Sequence, residues 1–263
     1  YKKKYQKYIY ESRAPLREMN APNAVWTADF KGSFRLLDNT QCEPFVLMDG
    51  YSRYILELEV AKTRKYSDII PFFEAAFAKF GLPDAIRTDN GPPFGSHGLR
   101  NLSPLSVIFI KKGIYPEKTK PGNPGGNAYH ERFNRTLKND TTVPRSPNIA
   151  SQRERFNIYK TEYNEIRPHE SLGDEVPHKH YKPSTRSTPP VYEYSDTYEK
   201  IRVDGKGYIK RKDKMIYLSE SLSSEWIGLK QLEFLGYHLG FMTEHPTATK
   251  LAHQAVAPSS PSA

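Results

Sequence analysis

Residues 25–61 read VWTADFKGSFRLLDNTQCEPFVLMDGYSRYILELEVA, and this stretch decides the fold. Three runs within it, VWTADFKGSF, CEPFVLMD and YILELEVA, are rich in β-branched and aromatic residues and read as strands. Their close spacing predicts an antiparallel meander, because only antiparallel neighbours can be joined by short connections. Outward from there, residues 67–80 put Ile69, Phe72, Phe73, Ala76, Phe77 and Phe80 at helical spacing. The pattern stops at Gly81 and Pro83, so it predicts a helix with its terminator. DAIRTD then predicts a short strand. Beyond the loop NGPPFGSHG, residues 103–112 predict a helix and residues 115–120 a strand entering PGNPGG. Two more helices follow, over about residues 127–140 and 151–166, the second stopping before Arg167 and Pro168.

This order of elements describes an α/β domain, a mixed five-stranded sheet with flanking helices, and suits a ribonuclease H-like core. The chain divides into a basic N-terminal segment over 1–21, the core over 22–167, a linker over 168–195, a small antiparallel β-barrel over 196–247 and a disordered tail over 248–263. The linker assignment rests on PHKHYKPSTRSTPPVY, whose Pro, His, Ser and Thr content reads as extended chain. The barrel assignment rests on EKIRVDGKGYIKRKDKMIYLSESL, which alternates apolar and polar residues around Asp204-Gly205 and Lys212-Asp213 turns. Its strands are basic, with seven Lys or Arg against three acids between Glu199 and Lys214. The closing PSSPSA has the composition of a disordered end.

At 263 residues the chain can bury a substantial core. Lys and Arg outnumber Asp and Glu by 39 to 30, a formal charge of +9, which suits a polyanionic partner but also suits mere solubility. The single cysteine, Cys42, excludes an internal disulfide, and with no long apolar run the expected place is a reducing cytosol. The first residue is Tyr1, and the opening YKKKYQKYIYESR reads as part of an excised piece of a longer protein.

Three acids stand out. Asp29 sits inside the apolar strand VWTADF, where a carboxylate is costly unless a cation or hydrogen-bond donors meet it. A strand Asp at a sheet end, satisfied by backbone, is the ordinary alternative. Asp89 ends the strand after the first helix, facing the crevice where open sheets bind ligands. Asp-Asn-Gly is equally a common turn signal. Glu131 lies on a helix whose Tyr129, Phe133 and Leu137 form the packing face. Glu131, Arg135 and Lys138 share another arc of about 60° at roughly 100° per residue. Its ordinary alternative is a surface ion pair with Arg135, worth a few tenths of a kcal/mol. Together, a first-strand Asp, an Asp after the fourth strand and a helix Glu are what a divalent-metal site on such a sheet requires. Hard oxygen ligands suit Mg²⁺ or Mn²⁺, and two such ions about 4 Å apart can activate an attacking oxygen and stabilise a leaving one.

WTADFKG, FVLMDGYSRY, IRTDNGPPF, PGNPGGNAYHERFNRTLK and YNEIRPHESLG resemble, in order and wording, the integrase-core transposases of bacterial insertion sequences, relatives of retroviral integrases. The resemblance covers about residues 23–187. It implies that Asp29, Asp89 and Glu131 are the catalytic, metal-binding triad, with Asp29 shared between two Mg²⁺ or Mn²⁺ ions. It implies that Asn127, Arg135 and Lys138 face bound DNA. The basic barrel, with Lys210, Arg211 and Lys212, resembles the family's DNA-gripping carboxyl-terminal domain. The implied activity is cleavage at transposon ends and transfer of the freed 3′-hydroxyl into target DNA. The implied partners are those two DNAs and further copies of the chain, in a bacterial cytoplasm at the nucleoid. Rival readings are a ribonuclease H-like nuclease without joining activity and an inactive DNA-binding regulator derived from a transposase.

Three features depart from the family's pattern. The interval from Asp89 to Glu131 is long, and SHGLRNLSPLS within it resembles an insertion of one branch. PGGNA replaces a glutamine-containing loop before the glutamate, and GYHLGFMTEHPTATK makes the barrel shorter than expected. Other signals keep their ordinary readings. His178 and His180 are expected to be solvated, Cys42 unpaired, and Asp49 the start of a turn. Arg167, Pro168 and His169 are as readily structural as functional.

Overall fold

The computed structural model describes residues 15–96, 102–119, 127–189, 198–211, 213–232 and 236–240, with several side chains undescribed in the helix from Asn127 and in the last two strands. The meander forms as expected: β1 (Val25–Phe30), a two-residue β2 (Phe34–Arg35), β3 (Gln41–Asp49) and β4 (Ile55–Ala61). β1 and β4 both run antiparallel to β3, and β2 pairs with the start of β3. Helix α1 (Tyr66–Phe80) leads to β5 (Ala85–Thr88), and α2 (Pro104–Lys111) leads to β6 (Tyr115–Lys118). β5 joins β1 and β6 joins β5, both in parallel, giving a mixed sheet with the meander on one side.

Each sheet face is covered by its own helices. On one face Trp26, Ala28, Phe45, Leu47 and Leu56 pack with Ile69, Phe73, Phe77 and Phe80 of α1 and Phe109 of α2. Phe73 touches both Phe45 and Phe109 edge to face, at centroid separations of 5.4 and 5.0 Å. On the other face Val46, Met48, Leu58 and Val60 pack with Phe133 and Leu137 of α3 (Asn127–Thr142) and with Phe156, Tyr159 and Tyr163 of α4 (Ile149–Glu165). β3 is buried on both faces from Cys42 to Asp49, which is why it reads as a nearly unbroken apolar run. Helix starts follow capping chemistry: Ser103 accepts from Ser106 N–H before Pro104 opens α2, and Asn148 accepts from Ser151 N–H at the start of α4.

Residues 168–189, expected as linker, lie against the core. Tyr181, just past a short helix α5 (Pro177–His180), stacks on Tyr54 at 4.6 Å and is 9% exposed. Ser184 N–H donates to the Phe80 carbonyl and Leu82 N–H to that of Arg186, so the segment straps the end of α1. Gly81 has φ 75°, and a Cβ there would meet the Ser184 carbonyl oxygen at 2.5 Å, so the strap needs glycine at that turn. In the same region Asn164 donates to and accepts from the Ile55 backbone, and Arg167 bridges Asp140 and Glu162. These contacts give the RPH segment a structural reading.

Beyond the strap, β7 (Glu199–Arg202), β10 (Trp226–Leu232) and β11 (Gly236–Gly240) form one antiparallel sheet, and β8 (Tyr208–Arg211) and β9 (Lys214–Tyr217) form a separate hairpin. The expected closed barrel is thus replaced, among the described residues, by two small sheets. Ile201, Ile209, Ile216, Leu222, Ile227 and Leu229 cluster between them, together with Val107 of α2. Alternation specifies such strands and their inward faces, whereas closure requires hydrogen bonding between sheets, which alternation does not encode. Lys111 of α2 reaches Glu225 at 3.0 Å, so this unit docks on the core.

Candidate active site

Asp29 and Asp89 meet through strand register. β1 and β5 are parallel and pair as far as Thr27 with Arg87. Asp29 and Asp89 each lie two residues beyond that pair, Asp89 just past the end of β5, close enough for the charge of Asp29 to act on Asp89. Asp29 also pairs with Val46, a residue of the face covered by α3 and α4, so its side chain projects to that face. It is 38% exposed at the sheet end. The turn reading of Asp89 also holds: Gly91 N–H donates to its Oδ1 at 3.1 Å, and Phe94 N–H and Gly95 N–H both donate to the Gly91 carbonyl. Turn and ligand are compatible, because the turn uses one carboxylate oxygen. The protein packed around Asp89, and next the negative charge of Asp29, hold its carboxyl above the usual range, against Gly91 N–H, Lys118 and Arg64. A carboxylate whose ionisation is opposed by burial and by a neighbouring acid is an arrangement a divalent cation relieves.

Glu131 belongs to α3, two residues before Phe133, whose buried ring lies 5.6 Å from the Lys31 ammonium. That ammonium in turn lies 2.8 Å from Asp29 Oδ2. The backbone of the expected third acid therefore runs past the face that carries Asp29. The side chains of Asn127, Glu131 and Arg135 lie outside the described residues, and no group of three potential metal ligands occurs among the described ones. Lys138 is exposed on α3. Lys210 is exposed on β8, Arg211 is paired with Glu199, and Lys212 lies outside the described residues.

Three cations at this end of the sheet were not among the expected site residues. Lys31, whose side chain is 3% exposed, is two positions after Asp29 on the same strand face, and period-two alternation could have found it. Arg64 stacks over Phe30 at 5.3 Å and pairs with Glu43 at 2.9 Å. It belongs to the exposed run Lys62–Lys65, which the pairing of Glu43 with Ala61 brings to the same sheet end as Asp29. Lys118, opposite Thr88, donates to the Thr88 hydroxyl at 3.0 Å and to the Phe94 carbonyl at 2.5 Å. Only the β5–β6 register brings it here, so no local signal announces it. By contrast, His180 sits 3.0 Å from Glu175 and His178 3.5 Å from Glu165, on α5 and away from the acids. Cys42 is buried, and burial followed by the charge of Glu43 pushes its thiol up to about 12.

Two family models, each described as an integrase core domain, match residues 19–124 and 112–177 and together span more than half of the chain. A 39.2 kDa protein of insertion element IS476 from Xanthomonas euvesicatoria is 28% identical over 164 residues, covering 61% of this chain and 45% of that protein. A 31.7 kDa protein of insertion element IS407 from Burkholderia multivorans is 26% identical over 162 residues, covering 61% of this chain and 56% of that protein. The match thus spans about half the length of these relatives. Among solved structures, a chain of the simian T-cell lymphotropic virus intasome in complex with PP2A regulatory subunit B56 gamma superposes with a TM-score of 0.53 at 19% identity, over 86% of this chain and 79% of that one. The fold is the ribonuclease H-like one of retroviral integrase cores. With two matching core models, insertion-element relatives and this fold, the chain belongs to the integrase core family.

Proposed function

We propose that the protein is a DNA transposase that cleaves at the ends of its element and transfers the freed 3′-hydroxyl into target DNA. The observation that supports this reading is the nearness of Asp29 to Asp89 past the paired ends of β1 and β5, with the backbone of α3, which carries Glu131, running over the sheet face of Asp29. The donor set fits Mg²⁺ or Mn²⁺, since it consists of carboxylates with hard oxygens and no thiolate or imidazole. Bound there, two such ions would supply Lewis-acid activation of the attacking oxygen and neutralisation of charge at phosphorus.

The chain's own residues do the rest. Asp29 and Asp89 hold the charge that attracts the ions, and Glu131 completes the set. In the first step water attacks the phosphorus at the element end and displaces the 3′-oxygen, which leaves as the 3′-hydroxyl of the element while the flanking strand keeps the 5′-phosphate. In the second, that 3′-hydroxyl attacks a target phosphodiester in line and expels the target's own 3′-oxygen. Lys31, Arg64, Arg135 and Lys138 offer positive charge to the approaching backbones, Asn127 offers a neutral amide, and Lys210, Arg211 and Lys212 add charge from the C-terminal unit. Two ends must be joined to one target, so the working form is a multimer on DNA, in a bacterial cytoplasm at the nucleoid. Among the described residues no helix is long and apolar enough to cross a membrane.

The test is a Mg²⁺- or Mn²⁺-dependent assay with labelled element-end DNA and a plasmid target, comparing the chain with Asp89→Asn. Joined products that vanish in the variant support the transposase. Cleavage without joining replaces it with a nuclease, and tight binding with neither product replaces it with a regulator. Lys138→Glu should weaken DNA binding and reduce the salt slope by about 1. An unchanged slope removes Lys138 from the interface.

A further inference from the structure

Lys118 closes the edge strand β6 beside the Asp89 loop, and its ammonium spans that loop's two ends. One contact is the hydroxyl of Thr88, immediately before Asp89, and the other is the carbonyl of Phe94, five residues after it. Between them the loop is folded on itself: the Thr88 hydroxyl donates to the Asp89 carbonyl at 3.1 Å, Gly91 N–H donates to the Asp89 carboxylate, and Phe94 N–H returns to Gly91. Phe94, 1% exposed, anchors the far side in the core. Asn90 adds a second tie to the same strand end by donating to the Thr119 carbonyl at 2.8 Å.

A partly buried ammonium whose two contacts are uncharged oxygens is an expensive way to fasten a loop that a neutral donor could fasten. Burial draws it down to about 8, with the charge of Asp89 opposing that fall. What a neutral donor lacks is positive charge next to Asp89. Lys31 supplies the same thing on the neighbouring strand, 2.8 Å from Asp29. Each aspartate of the pair thus has a lysine of its own, which offsets the repulsion between them.

We propose that Lys118 is a positioning residue: it staples the loop from Thr88 to Phe94 so that the Asp89 carboxylate stays near Asp29 and ready for a divalent cation. It touches neither DNA nor the reacting atoms and acts through Asp89. This rests on the metal-dependent reading above and extends it to a residue outside the acidic triad.

The experiment compares the full chain with Lys118→Met by amide hydrogen exchange, thermal unfolding and Mn²⁺ titration followed by electron paramagnetic resonance, all without DNA. The expected result is exchange about tenfold faster confined to the amides of residues 89–96, with β1 and β3 unchanged. Mn²⁺ affinity should fall about fivefold or more, with a small change in melting temperature. Lys118→Arg, which keeps the charge and can reach both oxygens, should recover part of the Mn²⁺ affinity. Unchanged loop exchange, equal acceleration throughout the sheet, or tighter Mn²⁺ binding in Lys118→Met would each overturn the proposal. If Lys118→Met does not fold, Thr88→Val removes one of the two acceptors and is read in the same way. A wild-type chain that binds no Mn²⁺ sinks the metal-site reading instead, and the loop exchange still decides whether Lys118 holds Asp89 in place.

Discussion

At one end of the central sheet Asp49 is 0% exposed and accepts from Asn23 N–H at 2.7 Å, Ser52 N–H at 2.8 Å and the Ser52 hydroxyl at 2.6 Å. At the other end Asp29 opens to solvent with one lysine partner, and Asp89 accepts a single turn hydrogen bond beside Asp29's charge. The first carboxylate has its hydrogen-bonding capacity filled by donors that the fold holds in place; it shapes the turn from β3 to β4. The other two have capacity left over and repel one another. Carboxylates in one sheet therefore differ according to who satisfies them, and the unsatisfied pair is the one whose repulsion a cation would relieve.

The largest expected effect separates the two ends outright. Asp29→Asn or Asp89→Asn should lower end joining by about a thousandfold or more, the several kcal/mol a metal site supplies at about 1.4 kcal/mol per decade. Calorimetry should find the melting temperature of Asp89→Asn no lower, since like-charge repulsion is removed, and that of Asp29→Asn only slightly lower, since it also takes the charged partner from the nearly buried Lys31. A large drop in melting temperature would make these acids structural and erase the contrast. Next comes Tyr181→Ala, which empties a core position stacked on Tyr54 and hydrogen-bonded to Asn23. Urea unfolding should register a loss of about 3 kcal/mol. A loss within error would mean that the strap rides on the core without holding it.

Asp49→Ala should cost about 2 kcal/mol by leaving the buried N–H groups of Asn23 and Ser52 without an acceptor, while the folded fraction joins DNA at the parent rate. Activity lost without stability lost would move Asp49 into the functional group. The smallest effect concerns Cys42, which lies at the end of β3 nearer Asp29. With its thiol pushed up to about 12, it should resist alkylation at pH 8 in the native chain and react on unfolding. Fast native labelling would reveal that this end of the sheet opens.

Much of the candidate site was legible from residue order alone. Asp29, Asp89 and the helix carrying Glu131 follow from strand and helix patterns read in sequence, because each lies where its own element points it. Lys118 and Arg64 were not legible, since they reach the site through pairing of Lys118 with Thr88 and of Ala61 with Glu43, and register is a property of two segments. The strap was misjudged from composition for the same reason. A Pro- and His-rich stretch is extended chain by local propensity, and Tyr181 packs because residues far away in sequence offer it a stacking ring and a hydrogen-bond acceptor. In the C-terminal unit the alternating stretch covers β7, β8 and β9, while β10 and β11 lie beyond it and the division into two sheets depended on pairings that alternation leaves open.

The Asn23 side chain joins the two stretches of chain most distant in this core. Its carbonyl oxygen accepts from the Trp26 indole and the Tyr181 hydroxyl, and its amide donates to the Lys182 backbone 159 positions away. During synthesis the strands of the meander leave the ribosome, and can pair, long before Tyr181 exists. Loop closure over such a separation comes late in folding as well. Until residues 181 and 182 arrive, the Asn23 carbonyl and amide lack these two partners, so the latch is the last of its contacts that synthesis can supply.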